Sequence, residues 1–169
     1  MIESEYLKDN QAIIQKLKNM PTLELFDEKS LQGALQLSKI RKYQPQERIL
    51  EEGSFDNRIY FLVSGSVRIE KHGKELTVLK RGGDVFGEMG VIDGSARSAS
   101  AYAVDETVCL ATDASYIDRL SGQDRFAFGS ILFRVFAESL ANRLRLTNEE
   151  LIKAQEEIAR LKDEKTIID

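Results

Sequence analysis

Two short stretches hold the side chains best suited to chemistry: Phe86-Gly87-Glu88-Met89 and, eight residues after Met89, Arg97-Ser98-Ala99. An arginine presents a planar fork of donors that fits a phosphate. Ser98 and the backbone N–H groups of the turn can complete an anion cradle around it. Glu88 is an acceptor of the right kind for a sugar hydroxyl. Gly87 lets the backbone approach a ligand with no Cβ in the way. The set suits a ligand that is at once a phosphate and a sugar diol. Each residue also has a plainer reading. An arginine after a Gly-Ser loop is usually a surface charge, and Glu88 could serve a structural salt bridge. The alanines at Ala96, Ala99 and Ala101 favour close backbone packing around Arg97 instead.

The elements that must position these residues fall into three regions. Residues 1–37 read as helical: Ile2, Tyr6, Ile13 and Leu17 recur at roughly helical spacing, and Met20-Pro21 closes the run. A second short helix follows, with Asp27 as its N-cap and Leu31 and Leu35 on its inner face. Residues 38–113 change to many short strands. Arg58 to Val63, then Ser64-Gly65-Ser66, then Val67 to Glu70 reads as strand, tight turn, strand. Lys71-His72-Gly73-Lys74 is the next hairpin tip, Leu76 and Val78 continue the sheet, and Gly82-Gly83-Asp84 breaks it. Ser98 to Val104 and Thr107 to Ala111 supply two further strands. Short strands with Gly-rich turns argue for a sandwich or barrel-like roll.

Residues 114–169 read as helical again. Phe133, Ala137, Leu140, Leu144, Thr147, Leu151, Ala154, Ile158 and Leu161 alternate spacings of four and three, an unbroken heptad seam. A single helix cannot bury such a stripe, so a partner is implied, most simply a parallel homodimer. Thr147 is the polar exception in the seam; it either bonds the carbonyl a turn back or meets a ligand.

The totals narrow the function. The chain has 169 residues, 42% of them hydrophobic, and a formal net charge of −4, so nothing global favours nucleic acid. Its single cysteine, Cys109, allows no internal disulfide, which fits a reducing, cytoplasmic setting and a packing role for the thiol. No apolar run is long enough for a membrane span, and Met1 to Asn10 carries no signal-like core. His72, the only histidine, reads as surface, and one histidine is too few for a metal-dependent cupin barrel. No catalytic or metal-binding arrangement is expected.

The stretch from Gly83 to Ile92 with Arg97-Ser98-Ala99 resembles the phosphate-binding cassette of the cyclic nucleotide-binding domain family. Gly53, Asp56, Tyr60, Gly65 and Val67 resemble that family's first hairpins, and Ile131 to Thr147 resembles the dimer helix of its catabolite-activator branch. The resemblance covers roughly residues 22–150 and implies an α+β, mainly β fold. That fold is an eight-stranded antiparallel, jelly-roll-like β-roll with N-terminal helices and a long C-terminal dimerisation helix. It implies that Gly87, Glu88, Met89, Arg97, Ser98 and Ala99 form the cassette, with Glu88 on the ribose and Arg97 on the cyclic phosphate. Arg143 would support the pocket, Thr147 would touch the base, Asn148 would reach the ligand across the dimer, and Thr77, Val67 and Leu76 would line the base side. Two departures stand out: Ala96 where the family often has proline, and Asn148 where the activator has serine.

The expected function is a stand-alone sensor for a cyclic nucleotide, cAMP first and cGMP second, with no cofactor. It would act as a homodimer through the C-terminal helix and signal to a protein effector, with no DNA or membrane partner. The sequence runs to Asp169 in charged helical residues, so no recognition helix of the activator's type is expected. The competing reading is a coiled-coil interaction module with a vestigial pocket.

Overall fold

The computed structural model describes residues 2–4, 19–20, 38–115 and 122–168. Nine strands and two helices run through them: β1 (Ile2–Ser4), β2 (Ser38–Tyr43), β3 (Arg48–Leu50), β4 (Arg58–Ser64), β5 (Val67–Lys71), β6 (Lys74–Leu79), β7 (Val85–Phe86), α1 (Met89–Asp93), β8 (Ser100–Ala103), β9 (Thr107–Asp113) and α2 (Gly122–Ile168). The strands form two antiparallel sheets, in the orders β1-β2-β9-β4-β7 and β3-β8-β5-β6. This is the mainly β roll that the family resemblance implied, with β2–β9 as its eight strands and β1 added at an edge.

Alternation along the strands decides the core. Tyr43, Tyr60, Leu62, Phe86, Cys109 and Ala111 from the first sheet meet Leu50, Val67, Leu79, Ala101 and Ala103 from the second. β4 is buried on both faces, because Ile59, Phe61 and Val63 are covered as well. The turns follow their residues. His72 and Gly73 both have positive φ, as a two-residue type I′ hairpin requires. Gly65 closes against the β9 entry so tightly that a Cβ would lie 2.6 Å from the Glu106 carbonyl oxygen.

Three sequence expectations need correction. Ile2 is not the start of a helix: Ile2–Ser4 pairs with Ile40–Lys42 as an edge strand. The ladder hydrogen bonds offered by β2 outweigh a sparse helical pattern. The remaining helical expectations for residues 1–37, Asp27 and its helix included, lie outside the described residues. Ala114 and Ser115 do not begin a helix either; the Ser115 N–H and hydroxyl both donate to Asp113 Oδ1, a local turn that competes with helix geometry. The strand expected from Ser98 begins only at Ser100, because Arg97 and Ser98 serve the loop described below.

The chain divides into two compact units, Met1–Phe133 and Arg134–Asp169. In α2 the seam residues Phe133, Leu144, Leu151, Ile158 and Leu161 are exposed, whereas Leu132, Val135 and Phe136 are buried. Among the described residues no helix is long and apolar enough to cross a membrane.

Cys109 is buried in the roll, and desolvation pushes its thiol up to about 12. A raised folded-state value contributes stability below the ordinary thiol range of about 9, and that contribution is lost between 9 and about 12. Cys109 is therefore expected to resist a thiol reagent at pH 8 in native protein and to react at full rate in urea. Rapid native labelling would show the roll open at β9.

Candidate functional site

Arg97 is buried, with 4% of its surface exposed, at the start of the chain leading into β8. Its backbone is held first. The Gly53 N–H donates to the Arg97 carbonyl and the Arg97 N–H donates to Ser54 O, both at 2.8 Å. This bracket fixes where the side chain starts, and the guanidinium then turns inward. Nη1 donates to the Gly87 carbonyl and Nη2 to the Arg58 carbonyl. The Asp56 carboxylate lies 3.8 Å from Nη2. Among the described residues the Nε–H of Arg97 is buried with no acceptor. An unmet buried donor costs about 1–3 kcal/mol.

Gly87 makes this approach possible. Its φ is +81°, and a Cβ there would stand 3.0 Å from Arg97 Nη1 and 3.1 Å from the Arg58 carbonyl oxygen. Phe86, the residue before it, is locked by its ring stacking on Tyr60 at 5.1 Å between centroids. Glu88 caps α1 through its carbonyl, which accepts the N–H groups of Val91 and Ile92 at 3.0 Å. Its residue is only 1% exposed, and its charge acts on Arg97. Gly94 ends the helix in the left-handed conformation.

The electrostatics follow from burial. Desolvation pulls the Arg97 guanidinium below its ordinary value, while Asp56, Tyr60 and Glu88 push it back up. An arginine keeps its proton under such a shift. The site therefore holds a desolvated cation with two neutral carbonyls, nearby carboxylates and, among the described residues, one donor still unmet. Tyr60 beneath it is raised, by burial first and then by Asp56, with Arg41, Arg58 and Arg97 opposing.

The roll brings together Gly87, Glu88, Met89, Arg97, Ser98 and Ala99. Arg97 and Glu88 are buried, Ser98 and Met89 are exposed, and the Ser98 hydroxyl lies 3.5 Å from the Met89 sulfur. Val67 is fully buried on β5, and Thr77, opposite Ile69, is half-buried on β6. Leu76 sits at the register shift between these strands and is more than half exposed. Arg143, half-buried, and Thr147 and Asn148, both exposed, belong to the separate helical unit. Sequence reasoning gave no site role to Asp56, the Arg58 carbonyl or the Gly53-Ser54 bracket. Backbone carbonyls leave no trace in residue types, so only Asp56, as a carboxylate in a Gly-containing loop, carried any signal.

The sequence model described as cyclic nucleotide-binding domain matches residues 40–124, half of the chain. The chain belongs to the cyclic nucleotide-binding domain family. A cGMP-dependent protein kinase of Eimeria tenella is 27% identical over 139 residues, which make up 82% of this chain and 14% of the kinase. The cyclic AMP receptor protein of Thermus thermophilus is 33% identical over 99 residues, 56% of this chain and 46% of that protein. The chain thus spans less than half the length of either relative. The solved catabolite activator protein of Thermus thermophilus superposes with a TM-score of 0.58 at 29% identity, covering 78% of this chain and 61% of that one. Domains of this family are regulatory rather than catalytic.

Gly87→Ala is expected to lower the urea midpoint and to force the guanidinium off the Gly87 carbonyl, seen as faster side-chain N–H exchange at Arg97. An unchanged Arg97 side-chain NMR signal would mean that the cradle tolerates a methyl group.

Proposed function

We propose that this chain is a regulatory sensor that binds a cyclic nucleotide and transmits the binding through its long helix. The observation that carries the reading is Arg97: a buried cation beside a buried Glu88, with its Nε–H unmet. A cyclic phosphate supplies a single negative charge and acceptor oxygens for that donor, and the attached ribose supplies hydroxyls for a carboxylate. A linear nucleotide brings a second charge into a desolvated site, at a cost. The names of the relatives point to both cyclic AMP and cyclic GMP. Cyclic AMP is the first candidate, with Val67, Leu76 and Thr77 on the base side. Arg143 and Thr147 are assigned to state-dependent contacts from α2, and Asn148 to a contact with the ligand across the dimer.

The exposed heptad seam supports a homodimer through α2. A ligand moves such a helix only by favouring one arrangement, and a shift from mostly off to mostly on takes about 5.5 kcal/mol of differential affinity. The output is a surface for a protein effector in the cytoplasm. A vestigial pocket would leave the unmet donor of Arg97 without purpose.

Calorimetry of the full chain with 3′,5′-cyclic AMP, cyclic GMP and 5′-AMP is expected to give micromolar binding of a cyclic form and little of the linear one. Arg97→Leu, which removes a charge-assisted contact of about 1.5–3 kcal/mol, is expected to weaken binding at least about tenfold. No heat from any of the three nucleotides would end this reading in favour of an interaction module.

Leu151→Lys combined with Ile158→Lys is expected to bring the sedimentation mass down to that of a monomer. An unchanged mass would assign the seam to a different packing partner.

A further inference from the structure

The Asp56 carboxylate stands between two guanidiniums. Its Oδ1 accepts the Arg58 backbone N–H at 3.0 Å, and its Oδ2 lies 3.5 Å from Arg58 Nη1 and 3.8 Å from Arg97 Nη2. A charge-assisted hydrogen bond between such groups closes to about 2.8 Å. The buried cation of the site and the carboxylate beside it therefore stop short of a hydrogen bond, although a desolvated guanidinium gains most from a close partner. The loop backbone is pinned on both sides of Asp56: the Arg97 N–H donates to Ser54 O at 2.8 Å and the Ala114 N–H to Asn57 O at 2.9 Å. The place of the carboxylate is then set by its own two torsions and by what holds its oxygens. Arg58 holds them, through its N–H and its guanidinium. Arg97 Nη2 is meanwhile met by the Arg58 carbonyl.

We propose that Arg58 is a positioning residue that acts through Asp56, holding the carboxylate back from Arg97 and so leaving the charge of Arg97 to an incoming anion. The inference rests on the binding reading above and adds to it a residue that sets the affinity of the site. Exposure divides the roles. The Arg97 side chain is 2% exposed and that of Asp56 23%, whereas that of Arg58 is 47% exposed. Solvent screens Arg58 too well for it to attract an anion strongly by itself. Holding a carboxylate whose backbone is already fixed asks much less of it. Without the Arg58 guanidinium, Arg97 is the cation left on Asp56 Oδ2 among the described residues. A carboxylate closed onto Arg97 competes with a phosphate for the same guanidinium, because both are oxygen acceptors of negative charge. One carboxylate shared between two cations satisfies the folded protein and leaves the buried one only partly neutralised.

The test is the dissociation constant of 3′,5′-cyclic AMP, or of cyclic GMP if that binds tighter, for the full chain, Arg58→Met, Asp56→Asn and the double variant. Methionine keeps an apolar stem at position 58 and leaves the backbone carbonyl in place for Arg97 Nη2. Asparagine keeps an oxygen for the Arg58 N–H while removing the charge. Arg58→Met is expected to bind about fivefold more weakly than the parent, and the same change made in Asp56→Asn to shift binding by less than about twofold. A purely structural role, or a direct attraction of Arg58 for the anion, would weaken binding alike in the two backgrounds. Equal weakening in both, or no weakening in either, overturns the proposal and leaves the binding reading standing. If the parent binds neither nucleotide, the binding reading fails by itself. The Arg97 side-chain NMR signals of the ligand-free protein then decide the contact with Asp56. Slower N–H exchange at Arg97 in Arg58→Met than in the parent, lost again in the double variant, supports it, and unchanged exchange overturns it.

Discussion

The structure turns on one desolvated guanidinium. Arg97 lies buried between the cassette turn and the start of β4, held by neutral carbonyls of Gly87 and Arg58 and by the charges of Asp56 and Glu88. Burial strengthens every electrostatic contact the cation makes and raises the cost of each one it lacks. Among the described residues its Nε–H is buried without an acceptor. The surrounding architecture can be understood as what is needed to keep that cation in place.

Several independent devices serve that end. The backbone bracket from Gly53 and Ser54 fixes the root of the side chain. The positive φ of Gly87 clears its path, and the Tyr60–Phe86 stack holds the residue before it. Tyr60 and Phe86 also belong to the core between the sheets, so the cassette is anchored in the same apolar packing that stabilises the roll. Site geometry and fold stability are therefore coupled: a change that loosens the core displaces the cassette as well.

The roll was legible in the sequence because its turns use residues with strong backbone preferences. His72-Gly73 and Gly65 read as turns, and their positive φ values are the reason. The cassette was legible for a similar reason: Gly87, Glu88 and Arg97 are demanding residue types at fixed spacing. What failed was weakly patterned. Ile2 opened a sparse helical pattern, but an open sheet edge at β2 offered ladder hydrogen bonds to Ile2–Ser4, and pairing of that kind has no local signature. The register shift beside Leu76 left no mark in the residue pattern either, because bulges depend on the partner strand.

Local residue types thus determined the strands, the turns, the heptad spacing of α2 and the choice of Arg97 as the candidate site arginine. Those features depend on side-chain size, periodicity and backbone freedom, which are written residue by residue. Tertiary structure alone decided that Arg97 points inward and that Asp56 and two carbonyls receive it. Each of these needs groups distant in sequence to arrive at a few ångströms, and that distance is set by how the two sheets close on one another.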